Sequence, residues 1–110
     1  MSALAAIADP VRNKIVTMLA ADDLPAGDIA AHFAVSRPAI SRHLSVLLKA
    51  GLVNVREQAQ MRVYSLNPAG LDEIDDWVAA RRRSWNQRLD ALGRHLDEGG
   101  LRQGPSLRLA

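Results

Sequence analysis

Residues 35–53 read VSRPAISRHLSVLLKAGLV. Ser36 is placed to cap the free amides of a helix beginning at Arg37, and Pro38 falls in its first turn, where a missing N–H costs nothing. Ile40, Leu44, Leu47 and Leu48 recur at spacings of three and four as one apolar stripe, and Gly51 ends the run in the manner of a C-terminal glycine. Between the apolar positions stand Arg37, Ser41, Arg42 and Lys49. Acid is missing: no Asp or Glu lies between Asp28 and Glu57, while Arg37, Arg42, Lys49 and Arg56 fall there with His32 and His43. A surface that only needs to be solvated intersperses its charges. One kept free of acid suits an anionic partner.

Upstream, Asp9-Pro10 is a helix opening, and Val11, Ile15, Met18 and Leu19 mark one helical face ending near Ala21. Leu4 and Ile7 suggest a short helix before it. DDLPAG (residues 22–27) reads as a turn, and Ile29, Ala30 and Phe33 follow in a short helix of roughly two turns. Downstream the period changes to two. LVNVR (52–56) and MRVYSL (61–66), joined by EQAQ (57–60), read as a β-hairpin with Tyr64 and Leu66 on one side.

Asn67-Pro68 reads as the opening of the last helix. Leu71, Val78, Trp85 and Leu92 are spaced by sevens, flanked by Ile74, Leu89 and Leu96. The acids of DEIDD (72–76) precede Arg81, Arg82, Arg83, Arg88 and Arg94, as the helix dipole favours. A helix from Pro68 to Glu98 would be about 45 Å long, more than a domain of this size covers with its own core. The Gly-rich residues 99–110 are expected to be a disordered tail.

Composition narrows the function classes. The 110 residues suit a single domain, placed at 1–98, and 48% hydrophobic residues with only 4% aromatic ones lean toward packed helices. The net charge of +2 and pI near 9.7 are a mild hint of an anionic partner. Without cysteine, disulfides, thiolate metal ligands and thiol nucleophiles are excluded. No apolar run approaches a membrane span, and MSALAAIADPVRNK places its charges after its apolar part, the reverse of a secretory signal. These features predict a cytoplasmic, nucleoid-associated protein with no membrane partner. No Gly-rich phosphate loop is present, and the one dense carboxylate cluster sits at a helix start, where the dipole explains it. No enzyme activity, catalytic residue, cofactor or metal is therefore assigned.

A short helix, a turn, a longer helix and a two-stranded hairpin make a winged helix-turn-helix, mainly α with a small β-hairpin wing. In that layout the N-terminal residues of the second helix enter the major groove. The base-reading set is accordingly Arg37, Pro38, Ala39, Ser41 and Arg42, since Arg takes guanine bidentately, Ser serves either kind of base edge and Ala touches a thymine methyl. Ser36, His43, Lys49, Arg56, Gln60 and Arg62 are assigned to phosphates, with Arg62 the main contact of the wing. Val35, Ile40, Leu44, Leu47 and Leu48 are assigned to the core, and His32 to packing beside Phe33. A capping or buried role for His43 stays open beside the phosphate contact.

LAAIADPVRNKIVTMLA (4–20), SRPAISRHLSVLLKAGLV (36–53) and RVYSLNPAGLDEIDDWV (62–78) resemble the ArsR (ArsR/SmtB) family of bacterial winged-helix repressors over roughly residues 3–80. The resemblance implies a homodimer built on the first and last helices, with Leu4, Ile7, Ile74, Trp77, Val78, Trp85, Leu89 and Leu92 at the interface, bound to an imperfect palindrome in promoter DNA. Two departures follow. The cysteine sensing sites of many members are impossible here. Of the family's zinc site between the last helices, His95 and Glu98 keep one half, but Arg82 and Ser84 stand where Asp and His are needed. The wing also lacks the usual tip glycine. A small-molecule effector between the long helices remains open and unidentified. So do two alternatives to operator binding, a protein-docking winged helix and a nonspecific DNA binder.

Overall fold

Helix caps set the first half of the chain. In the computed structural model, which describes residues 2–98, Ser2 opens α1 (Ala3–Ile7) and Asp9 opens α2 (Pro10–Ala21). Their side chains accept from the N–H groups of Ala5 (3.1 Å) and Arg12 (3.0 Å). α2 buries Ile15 and Leu19. The short α3 (Ala26–Ala30) buries Ile29, and the turn after it leads to α4 (Arg37–Lys49), capped by Ser36 and buried along Ile40, Leu44 and Leu47. The tail expected to be disordered, 99–110, lies outside the described residues.

Three strands follow the antiparallel order β1-β3-β2, with β1 at Leu24–Pro25, β2 at Val53–Gln58 and β3 at Met61–Leu66. The segment read as a plain turn, DDLPAG, thus contains a two-residue strand, paired Leu24↔Tyr64 and Pro25↔Val63. That pairing makes β3 a central strand. Val63 and Tyr64, on opposite faces, are both buried, whereas the hairpin reading set Tyr64 and Leu66 together on one side. Two residues are too few to show a period, and Pro25 argued against pairing. Its position on an edge strand resolves the conflict.

α4 ends in a Schellman motif. Leu52 N–H donates to Leu47 O (3.0 Å) and Gly51 N–H to Leu48 O (3.1 Å), with Gly51 at φ +76° and Leu52 fully buried. The chain returns to this turn after the hairpin: Asn67 N–H donates to Leu52 O (2.9 Å) and Asn67 Nδ2 to Gly51 O (2.8 Å). Asn67 therefore caps no helix. Pro68–Leu71 form a single 3₁₀ turn, and α5 (Asp72–Glu98) starts four residues later than read from Asn67-Pro68. At 27 residues it is about 40 Å long. Gly70 lies so close to the Gly51–Leu52 backbone that a methyl group there would overlap the Gly51 carbonyl. Glu73, in the first turn of α5, accepts from Ala3 N–H at 2.8 Å.

Residues up to Asp75 group as one compact unit and those from Asp76 onward as a second. The core of the first gathers Ala3 and Ala6 of α1 with Ile15, Leu19, Ile29, Ile40, Leu44 and Leu47 of the helices, Leu52 of the turn after α4, and Val53 and Tyr64 of the sheet. Val35 is not part of it: it is exposed, because it precedes the Ser36 cap and has no helical register to turn it inward. His32 is exposed as well. Its Nδ1 lies 2.9 Å from the carbonyl of Asp28, so it closes the end of its own helix instead of packing.

Candidate nucleic-acid interface

The first turns of α4 put the sequence-assigned base readers in one place. Arg37, Pro38, Ser41 and Arg42 are exposed and Ala39 is half-buried, while the stripe one turn away holds the helix to the core. The Ser36 hydroxyl accepts from Ala39 N–H at 3.3 Å, which leaves its O–H free to donate outward. Lys49 is exposed in the last turn, at the opposite end of the helix from Arg37. Among the described residues, the segment from residue 29 to residue 56 carries its positive charge with no carboxylate of its own.

His43 is tied down. Its Nδ1 lies 3.2 Å from Arg12 Nη1 and 3.8 Å from Asp9 Oδ2, and its side chain is half-buried. Arg12 also donates from Nε to the carbonyl of Ala6 at 2.8 Å. One guanidinium thus joins α1, α2 and α4. The carboxyl of Asp9 is held below its ordinary value, chiefly by the hydrogen bond from Arg12 N–H, with the Arg12 guanidinium acting in the same direction against partial desolvation. Arg12, Ala39, Arg42, His43 and Val46 line a shallow groove between α2 and α4.

Arg12 was not among the residues singled out from the sequence. It adjoins Val11 and lies three residues before Ile15, so it borders the buried stripe of α2, where a charged side chain needs partners. That is the signal which marks it.

On the wing, Arg62 and Gln60 are exposed near the tip, and the Arg62 guanidinium lies over the Tyr64 ring, 5.9 Å from its centre. The tip has two residues, Ala59 and Gln60, both at positive φ (51° and 66°) between paired Gln58 and Met61. This is the primed turn that suits a hairpin, built without the glycine that favours it. Arg56 is differently placed from Arg62. Its Nη1 pairs with Asp23 Oδ2 at 2.9 Å and its Nε and Nη2 reach Gln58 Oε1 at 3.3 Å, so a phosphate contact there competes with an existing ion pair.

The residues assigned to a dimer interface fall into two groups. Ile7 and Ile74 are half-buried and pack against the core of the first unit, and Leu4 is half-buried in α1. Within the second unit, Trp77, Val78, Trp85 and Leu92 are exposed large hydrophobics, and Leu89 is half-buried. The guanidinium of Arg81 sits 5.1 Å from the Trp77 ring centre and that of Arg88 5.4 Å from that of Trp85. Among the described residues no three His, Cys, Asp or Glu side chains gather as a metal site, and no helix is long and apolar enough to cross a membrane. His95 is exposed, and the Glu98 side chain lies outside the described side chains.

Comparison with known proteins agrees with this arrangement. Residues 9–55 match the family model described as bacterial regulatory protein, arsR family. The chain is similar to the transcriptional repressor SdpR of Bacillus subtilis, 42% identical over 73 residues that make up 66% of this chain and 81% of that protein. It is 40% identical over 95 residues, 86% of each chain, to the HTH-type transcriptional regulator Rv2034 of Mycobacterium tuberculosis. Among solved structures, an ArsR-like transcriptional regulator from Rhodococcus sp. RHA1 superposes with a TM-score of 0.70 at 31% identity, covering 83% of this chain and 86% of that one.

Proposed function

Because this chain belongs to the ArsR family of bacterial regulatory proteins and is a DNA-binding transcriptional regulator, we propose that it is a cytoplasmic dimeric repressor of a palindromic operator. Two copies of α4 would enter successive major-groove faces about 34 Å apart, one helical turn of DNA. Occupying a promoter in this way blocks it sterically. Residues 1–98 supply both DNA binding and dimerisation. In each half-site Arg37, Pro38, Ala39, Ser41 and Arg42 read base edges, and Ser36, His43, Lys49, Arg56, Gln60 and Arg62 set the register on phosphates. Leu4, Ile7, Ile74, Trp77, Val78, Trp85, Leu89 and Leu92 join the copies. No catalytic role, cofactor or metal is assigned.

The observation that carries this reading is the exposed, acid-free N-terminal half of α4, held by a cap at one end, a Schellman motif at the other and the Arg12–His43 contact between. A fixed helix presenting guanidinium and hydroxyl groups can discriminate bases. A mobile basic surface only attracts phosphates.

The test is titration of the protein into its own upstream DNA and into scrambled DNA at two salt concentrations. Tight binding to the upstream fragment, saturating at two chains per site, is the expected result. Equal binding to both, collapsing as salt rises, would put the nonspecific or protein-docking reading in its place.

A further inference from the structure

The Arg12–His43 contact has a chemical consequence for the face of His43 turned away from Arg12. A guanidinium has donors only and stays protonated in proteins. Its Nη1, 3.2 Å from His43 Nδ1, therefore requires a bare lone pair on Nδ1. A neutral imidazole whose Nδ1 accepts must carry its hydrogen on Nε2. Asp9 Oδ2, the other polar atom facing Nδ1, is farther away at 3.8 Å and already accepts from Arg12 N–H. Arg12 cannot drift from this position without cost, since its Nε is anchored on the Ala6 carbonyl.

We infer that Arg12 is a positioning residue for DNA binding: it fixes His43 as an Nε2–H donor to a backbone phosphate seated at the groove between α2 and α4. Phosphate oxygens accept and never donate, so this is the one neutral tautomer that binds them. The other would turn a lone pair toward the anion. Arg42, on the same groove, adds a second cationic wall. The inference rests on the DNA-binding reading but not on operator specificity, because a phosphate contact is blind to sequence. The Arg12 side chain is set one helix away from the residues that touch DNA, and its effect passes through His43.

Two measurements on the full chain test it. Long-range proton–nitrogen NMR without DNA should give His43 with a protonated Nε2 and a bare Nδ1, and Arg12→Met should turn this into a mixture. A protonated Nδ1 in the unaltered protein, or no change in Arg12→Met, would overturn the inference.

The second measurement is duplex affinity at low salt, on operator and scrambled DNA alike. Glutamine carries its amide nitrogen near the place of Nε2, asparagine near that of Nδ1. His43→Gln should stay within about threefold of the unaltered protein, and His43→Asn should lose about tenfold, one hydrogen bond to a charged group. The reverse order would refute the role, and neither variant replaces a residue of α2. Arg12→Met alone should also lose about tenfold, but add less than about twofold in the His43→Gln background. A full loss in that background would assign the effect to the charge of Arg12 or to folding. Absence of operator preference would remove the repressor reading and leave this test standing, since the losses are expected on any duplex.

Discussion

Replacing Gly70 with alanine is expected to cost more stability than replacing Gly51, although only Gly51 has a backbone that disfavours a side chain. At Gly51 the φ of +76° is unfavourable for an L-residue, yet nothing lies within 4 Å of the place a Cβ would occupy. The expected loss is the conformational penalty alone, about 1 kcal/mol. At Gly70 an added Cβ would overlap the Gly51 carbonyl and come within 2.9 Å of the Leu52 Cα. Both obstacles are backbone, and both are pinned: Gly51 O by Asn67 Nδ2, and Leu52 by its hydrogen bond to Leu47 O. Neither yields by a rotamer change, so the cost falls at the upper end for overpacking, about 3 kcal/mol. For a chain of this size that is a fall of roughly 15 °C in Tm, against roughly 5 °C for Gly51→Ala. Thermal melts followed by circular dichroism, at one fixed protein concentration because the midpoint of any self-associating chain depends on it, measure both. A Gly70→Ala protein melting within about 3 °C of the parent, or below it by less than Gly51→Ala, would show that the close approach is not rigid.

Four further outcomes are expected. Arg42→Ala should relax base preference at one position per half-site at a cost of about 1–3 kcal/mol; an equal loss on every sequence in a competition assay would make Arg42 a phosphate contact. Trp85→Glu should convert a dimer to monomers by light scattering, and an unchanged molar mass would place the interface elsewhere. Rebuilding the wing tip as Ala59→Asn with Gln60→Gly should raise stability by about 1 kcal/mol in urea denaturation, because both positions have positive φ; a neutral result would mean that the turn relaxes without it. Asp9 has a lowered carboxyl, so its ionised form favours the fold. That contribution is complete above the ordinary value of 3.8 and is lost as pH falls through the lower folded value. Asp9→Asn, which keeps a capping oxygen but cannot titrate, should therefore flatten the loss of stability with acid below pH of about 4, and an unchanged acid limb in a pH series of melts would contradict this.

Where local chemistry alone decides an element, the sequence announced it. The Asp9 and Ser36 caps, the apolar stripe of α4 and the terminating Gly51 each act within a few residues and each appeared where expected. The misses share the opposite trait. Leu24–Pro25 becomes a strand only because β3 offers it an edge forty residues away in sequence. Asn67 looks like a cap, but the carbonyls of Gly51 and Leu52 claim it first. Arg12 is marked in the sequence only by bordering the buried stripe of α2, and which partners it takes becomes visible only when Ala6, Asp9 and His43 converge on it. The exposed positions of α4 could be read as facing outward from their spacing. What they touch is chemistry between molecules, which spacing does not encode.

The joint at Gly51, Leu52 and Asn67 also makes the wing a closed loop. Its two strands leave and return through one hydrogen-bonded neck, where Asn67 N–H meets Leu52 O and Val53 pairs with Leu66. Past the Arg56↔Val63 rung, where β3 no longer pairs with β1, changes in length stay local. Doubling a flexible loop costs only about 0.6 kcal/mol of closure entropy, and strand twist carries the tip outward without shifting either root. The wing is thus a replaceable part. The tip between Gln58 and Met61 can be lengthened, shortened or rewritten while α4 keeps its seat.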